Sequence, residues 1–455
     1  MRELVAAGFA AYRVGGCVRD RLRGVPPGDI DVATNAPLDR ITALFPSARI
    51  VGEAFGVALV DGIEVATFRQ DGPYSDFRHP DYVTRVSTIE EDLARRDFTV
   101  NAIAEDLTGT IIDPFHGRQD LEAARIRFVG DARQRLREDP IRALRACRFA
   151  ALIGGTLDEA ARTAIEAGRH LLEKVPRERI QLELNKMLML DDREAALLTL
   201  SGLNLLPHVL PALARSIGVP QEGHHAEDCW VHAVKTVQAV RKESLPLRLA
   251  ALVHDIAKPH TRMRGEDGID HFYQHETLGE RLVETELQNL RYSGDTIAYV
   301  KEAVRHHLDR IMFRPEMKDA TIRRHMSALQ HLPVRDLLRL QLADLEANLA
   351  EPYTRAERLD HLRYALRRIR AIEAQAHALR IADLAIDGRD VMQAFHLPPG
   401  PAVGRALALC FERVLQQPQM NTRSTLLGLL HEQPGWRHAA GTPRNNKTAA
   451  DTSAS

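Results

Sequence analysis

The sequence predicts an α+β head followed by an all-α body, and three observations carry that prediction. Short apolar runs bounded by turn residues crowd the first 130 positions. Beyond Gly130, Ala, Leu, Arg and Glu recur with helical period and strand signals vanish. At 455 residues the chain has room for about two to four domains with cores of their own.

The elements follow in order. Ala11, Tyr12 and Val14 read as a short strand, Gly15-Gly16 as a turn, and 17–22 as a helix. Asp29 and Asp31 alternate around Ile30, so a strand there projects both carboxylates from one face. Further strands are expected at 49–51, 57–60, 63–68, 111–113 and 126–129, with helices at 37–45 and 121–124, giving a small mixed sheet. A polar, turn-rich loop spans 67–80. The head therefore covers 1–130 and a helical neck 131–206, while Pro and Gly at 207–223 mark a boundary. A helical module at 224–350 and a helical tail at 351–434, broken by Pro398-Pro399-Gly400-Pro401, complete the body. Residues 435–455 have no apolar period and read as disordered.

Composition narrows the function classes. Cys17, Cys147, Cys229 and Cys410 have neither disulfide-framework nor zinc spacing. No apolar run is long enough to cross a membrane and no leader-type apolar segment follows the N-terminus, so a cytoplasmic protein without membrane association is expected. The net charge of -1 points to no nucleic acid by itself. Arginine is nevertheless concentrated at 118–148 and again at Arg363, Arg367, Arg368 and Arg370, as RNA-facing stripes or as solvated helix faces.

Four constellations carry chemistry. Gly15 and Gly16 ahead of a helix favour phosphate, and the paired Asp29 and Asp31 repel each other unless a divalent cation lies between them. Arg95-Arg96-Asp97-Phe98-Thr99-Val100-Asn101 offers forked donors to phosphate and hydrogen-bonding groups to ribose, or else a helix cap with surface arginines. In Glu138-Asp139-Pro140-Ile141-Arg142, Asp139 and Arg142 are neighbours on one helical face, fit for a base edge or for an internal ion pair. His232, His254-Asp255 and Asp344 suit a hard-to-intermediate divalent metal, or a buried structural pair.

Gly15-Gly16-Cys17-Val18-Arg19-Asp20 with Asp29-Ile30-Asp31-Val32-Ala33-Thr34 resembles the head domain of class II tRNA nucleotidyltransferases and bacterial poly(A) polymerases. The resemblance covers about residues 10–200, including Pro176-Arg177-Glu178-Arg179-Ile180 of the neck. It implies catalytic, Mg²⁺-holding Asp29 and Asp31, and nucleotide contacts at Gly16, Arg19, Arg96, Asp97, Asn101, Asp139, Arg142 and Arg145. Glu138 would orient the base-reading pair, and 67–80 resembles the flexible loop of CCA-adding and A-adding enzymes. The His and Asp set resembles an HD phosphohydrolase domain holding Mn²⁺, Ni²⁺ or Mg²⁺, with His275, His306 and His307 extending it toward a second metal. The implied activity is template-independent addition of CCA to tRNA from CTP and ATP, by a monomer or homodimer, with metal-dependent phosphohydrolysis as an additional activity of the second domain. An A-adding enzyme, a poly(A) polymerase and a non-catalytic RNA-binding protein are the alternatives.

Overall fold

The computed structural model describes residues 1–74, 80–221, 227–266, 268–309, 317–348, 354–375 and 378–433. Part of the expected 67–80 loop and the expected disordered C-terminus lie outside these residues.

The head strands are β1 (Ala11–Val14), β2 (Asp31–Thr34), β3 (Arg49–Gly52), β4 (Val57–Val60), β5 (Ile63–Thr67), β6 (Arg69–Asp71), β7 (Val83–Arg85), β8 (Ala104–Glu105) and β9 (Ile111–Ile112). Seven of them form one mixed sheet in the order β3-β4-β5-β2-β1-β8-β9. Only β2 and β5 pair in parallel within it. Strand β2 is buried on both faces: Val32 joins a core with Leu4, Ile41, Ala58 and Val65, and Ala33 joins another with Val14, Phe68 and Leu93. Its apolar run Val32-Ala33 is what such a doubly covered strand requires.

Several local readings are corrected. Asp29 sits in an exposed bend and the strand begins only at Asp31. The strand's antiparallel partner β1 ends at Val14 opposite Asp31, where Gly15 turns the chain into a helix, so the ladder has no partner for the residues before Asp31. The polar segment after Thr67 opens as a strand, β6, paired antiparallel with β7. Strand structure also continues past Gly130: Thr156–Leu157 pairs in parallel with Arg125–Ile126, and Arg262–Arg264 pairs with Asp270–Phe272. Two or three residues are too few to register a period.

The short Arg125–Ile126 and Thr156–Leu157 pairing sets a sharp packing constraint. A Cβ on Gly155 would lie 1.8 Å from the Ala124 carbonyl oxygen, which is backbone and accepts from the Thr156 amide. Gly155→Ala is expected to destabilise the head by about 2–4 kcal/mol, read as a lowered unfolding midpoint.

Two compact units emerge. One holds Met1–Arg305 and Ala343–Glu351, and the other His306–Leu342 and Pro352–Ser455. The unit boundary thus falls inside the expected 224–350 module. The described part of the second unit is helical, with a core of Val391, Phe395, Cys410, Leu426 and Leu430. There Arg323 is buried and donates to the carbonyls of Leu415 and Gln416.

Candidate active site and metal centre

Gly15 bends the chain out of β1 at φ 72° and caps the Gly16–Leu22 helix. A Cβ there would meet Arg96 Nη1 at 2.9 Å and Asp31 Oδ2 at 3.9 Å, so glycine is needed for this close approach. Opposite lies Asp31, and the β2–β5 register sets Glu64 directly across from it. Cross-strand partners are about 5 Å apart at Cβ, and like charges there repel. Burial raises the Asp31 carboxyl above its ordinary value and Asp29 adds to the effect, against the pull of Arg96. Glu64 is raised in the same way by burial and by Asp31.

Beside the carboxylates runs a linked set of cations and acceptors. Arg19 donates to Asn101 Oδ1 at 2.7 Å, and Asn101 donates to Asp97 at 3.0 Å. Arg145 holds the other Asp97 oxygen at 2.5 and 2.8 Å, while Arg148 holds Glu183 at 2.7 Å. The guanidinium carbons of Arg19, Arg145 and Arg148 lie 5.1, 5.3 and 4.2 Å from the Phe149 ring centroid, so one aromatic residue collects three cations. Arg96 pairs with Asp92 at 3.4 Å, and its buried Nε has no hydrogen-bond partner among the described residues.

Burial works against the Asp97 carboxylate, but Arg145 and Asn101 prevail and hold it at about 2. That stabilisation is complete above its ordinary 3.8 and is lost as pH falls through about 2. Asp97→Asn is expected to cost about 2 kcal/mol at pH 7 in a urea titration, the difference disappearing at strongly acid pH.

The neck closes the other side. Asp139 ends the Ala132–Glu138 helix in extended conformation, and Arg142 begins the Arg142–Ile153 helix. The pair therefore flanks a helix junction, not one helical face, because Pro140 interrupts the first helix. Each member has its own anchor. Arg142 donates to Glu138 at 2.8 Å, while Arg179, first turn of the Arg177–Leu188 helix, grips both Asp139 oxygens at 2.9 and 2.7 Å. Gly16, Arg19, Asp29, Asp31, Glu64, Arg96, Asp97, Asn101, Asp139, Arg142 and Arg145 line one open cleft of about 780 Å³, a size suited to a small ligand.

The second centre lies in the same unit. His232 comes from the Cys229–Ala239 helix, and His254-Asp255 follow the apolar Leu245–Val253 helix. His275 opens the His275–Asn289 helix and Asp344 lies in the Val334–Ala347 helix. His232 Nε2 is 2.9 Å from Asp344, His254 Nε2 is 3.1 Å from Asp255, and His275 Nε2 is 3.2 Å from Asp255. His254 Nδ1 donates to the Ala251 carbonyl at 2.9 Å and His275 Nδ1 to that of Phe272 at 2.7 Å. A carbonyl only accepts, so both rings must turn Nε2 toward the carboxylates. Burial lowers the His254 imidazole, but Asp255 and Asp344 outweigh it and push it up to about 10. His306 lies in the other unit, where it and His325 meet Asp309 at 2.8 and 3.0 Å.

Comparison with known proteins bears on both centres. The Poly A polymerase head domain family matches residues 11–127, the probable RNA- and SrmB-binding site of polymerase A matches 155–217, and the HD domain family matches 223–350. An A-adding tRNA nucleotidyltransferase of Deinococcus radiodurans is 34% identical over 418 residues, covering 89% of this chain and 92% of that enzyme. The chain belongs to the tRNA nucleotidyltransferase family. A CCA-adding enzyme of Geobacillus thermodenitrificans is 47% identical over 192 residues, 41% of this chain and 48% of that enzyme. The chain spans about half the length of the curated CCA-adding relatives it matches, from 48% to 61%. The crystal structure of the Bacillus stearothermophilus CCA-adding enzyme in complex with CTP superposes with a TM-score of 0.72 at 27% identity, covering 96% of each chain.

For a chain of this nucleotidyltransferase family, both acidic clusters fit divalent cations. In the head, Asp31 and Glu64 face each other across a parallel ladder beside Asp29, a repulsion that a cation relieves. In the HD module, the ligand atoms of His232, His254 and Asp344 lie within 4.8 Å of one another, and carbonyls orient the rings of His254 and His275 as bound imidazoles require. Glu64 and Arg179 were missed as site residues. Alternation placed Glu64 on a strand, but only strand pairing sets it against Asp31.

Proposed function

We propose that this chain restores the 3′-terminal CCA of tRNA, adding C and A from CTP and ATP without a nucleic-acid template, in the cytoplasm where its tRNA substrate resides. One observation carries the reading: Asp139 and Arg142, each held by its own partner, face the cleft that ends at Asp31. A carboxylate accepts from an exocyclic amino group and a guanidinium donates to an unprotonated ring nitrogen. Cytosine and adenine both present that pair of groups, whereas uracil and guanine present a carbonyl beside a ring N–H. Arg19, Arg96 and Arg145 bring positive charge to the triphosphate side, and Asn101 is fixed within reach of a sugar hydroxyl. Mg²⁺ held by Asp29 and Asp31 would supply Lewis-acid activation of the attacking hydroxyl and charge neutralisation on the phosphates. The curated CCA-adding relatives and the CTP-bound neighbour support the same reading. The test is incorporation of labelled CTP and ATP, with UTP and GTP as controls, into a tRNA transcript lacking CCA. Absence of CTP and ATP incorporation, or equal use of all four nucleotides, would contradict it. The full-length similarity to an A-adding enzyme favours a second reading, in which only ATP is used.

The HD-type centre supports a separate phosphohydrolase activity. The imidazoles, once a metal takes the place of their Nε2 protons, and the carboxylates form a donor set for Mn²⁺, Ni²⁺ or Mg²⁺, which would activate water against a phosphate ester. Lys258 lies 2.6 Å from Asp255 and brings positive charge to the same side. His254→Ala is expected to lower metal-dependent phosphate release by at least about 10²-fold and leave nucleotide addition within about twofold. Chelation followed by reloading with each metal, measured by phosphate release and elemental analysis, checks it.

A further inference from the structure

We propose that the open end of the head sheet, from β5 out to its edge strand β3, is the track for the 3′-terminal nucleoside of the RNA being extended, with Leu59 and Val57 beneath it and Arg49 on its 5′ phosphate. This rests on the reading above, in which the cleft extends a tRNA end. Strand register draws the track. Asp31 pairs with Glu64, Glu64 with Leu59 and Leu59 with Arg49, so the four stand in one row on one face of the sheet. The neighbouring row joins Ala66 and Val57, and both line the cleft beside Asp31 and Glu64. Strands lie about 4.8 Å apart, which sets Leu59 about 10 Å and Arg49 about 14 Å from Asp31 at the backbone. Leu59 is 37% exposed, an apolar side chain that continues the cleft floor outward.

Attack geometry decides which reactant takes this end. The attacking hydroxyl and the departing pyrophosphate lie roughly in line through the reacting phosphorus. Gly15 and Gly16 follow β1 and open a helix, and Arg96 packs against Gly15, so the phosphate-binding groups gather on the β1 side of Asp31. In the strand order, β5 and β4 lie on the other side of β2. The hydroxyl therefore approaches from the Glu64 side, and the rest of its nucleoside rests on the Val57 and Leu59 surface beyond.

Charge agrees with this orientation. Arg49 is exposed and forms no ion pair among the described residues. Glu53, just past β3, and Asp61, at the β4–β5 turn, are the acids closest to it by sequence and register, and neither pairs with it. Its guanidinium is thus available to a phosphate. Strand β3 is the sheet's edge and its register shifts between Ile50 and Gly52, so no further strand follows Arg49 and the preceding nucleotides run off freely. From Arg49 to Asp31 the row reads cation, apolar floor, carboxylates, which is the order phosphate, nucleoside, hydroxyl of a terminal nucleotide. The long arginine side chain and a cation held at Asp31 close much of the distance between the two ends.

Binding, kinetics and crosslinking on the full-length protein test the track. Without nucleotide, Arg49→Gln is expected to weaken binding of a tRNA ending in CC about fivefold and to lower its log–log salt slope by about 0.7, the worth of one single-strand phosphate. Against the same tRNA lacking its single-stranded 3′ end, the variant should match the parent. No weakening, or equal weakening of both RNAs, would overturn the proposal. Leu59→Gln should raise KM for tRNA about fivefold and leave KM for CTP unchanged, with Leu59→Met restoring the parent value. A rise in KM for CTP instead would give the surface to the incoming nucleotide and reject the track. The four native cysteines are buried, so Leu59→Cys offers a selective anchor for an aryl-azide crosslinker. Its crosslinks should map to the last nucleotide of the tRNA; crosslinks only to the RNA helix, or none, would count against the proposal. Binding and crosslinking need no turnover, so terminal crosslinks in a protein that fails to add CCA would uphold the track and reject the reading above.

Discussion

Asp31→Asn is expected to lower the rate of CTP addition by about 10³-fold or more while the protein stays folded. Asp31 is the carboxylate at which Gly15, Arg96 and Glu64 converge, and without its charge Asp29 loses its partner in holding a cation there. Removing one of the groups that holds charge on the reacting phosphate costs several kcal/mol at the transition state. The stability effect has the opposite sign. Burial and Asp29 already push the Asp31 carboxyl up, so its ionised form is held at a cost in the metal-free protein. Neutral Asn should therefore raise the metal-free unfolding midpoint slightly, and the gain should vanish as pH falls and Asp31 protonates. Single-turnover rates with labelled CTP, paired with melting curves in chelator, read both signs. A variant retaining more than a tenth of the parent rate would remove Asp31 from the chemistry.

Replacing Arg179 is expected to act through Asp139 on base choice. Arg179 fixes both carboxylate oxygens of Asp139, and without it the carboxylate is free to rotate away from the base edge. Arg179→Lys should recover only part of the roughly tenfold rise in KM for CTP and ATP expected of Arg179→Gln, because an ammonium lacks the planar fork of parallel N–H groups that fixes a carboxylate's orientation. Asp139→Ala removes the acceptor itself and should cost about 10- to 100-fold in kcat/KM for CTP, with UTP use rising relative to CTP. Competition assays with paired nucleotides measure this. Loss of rate with unchanged CTP-to-UTP preference would make Asp139 merely structural.

Much of the head was legible because its chemistry sits on local features. The Gly15-Gly16 bend, the apolar Val32-Ala33 strand and the arginine-carboxamide string around Asp97 each declare themselves within a few residues. What escaped depends on pairing between distant segments. Glu64 meets Asp31 through a parallel ladder, and Arg179 meets Asp139 across 40 positions, neither of which a period reveals. The strand expected at Asp29 begins only at Asp31 because its partner turns away at Gly15, and which strand that partner is depends again on pairing between distant segments. The helical face expected for Asp139 and Arg142 failed at Pro140, which interrupts the first helix. In the HD module, the sequence named the ligand types, but only the fold reveals that Ala251 and Phe272 carbonyls set the His254 and His275 rings.

The central claim is tested most directly by three tRNA transcripts, ending before CCA, after the first C and after CC, incubated with CTP, ATP and Mg²⁺ and sequenced at their 3′ ends. All three should converge on CCA and stop there. Extension of the CC-ended transcript alone, or long A tails on any of them, would contradict the account.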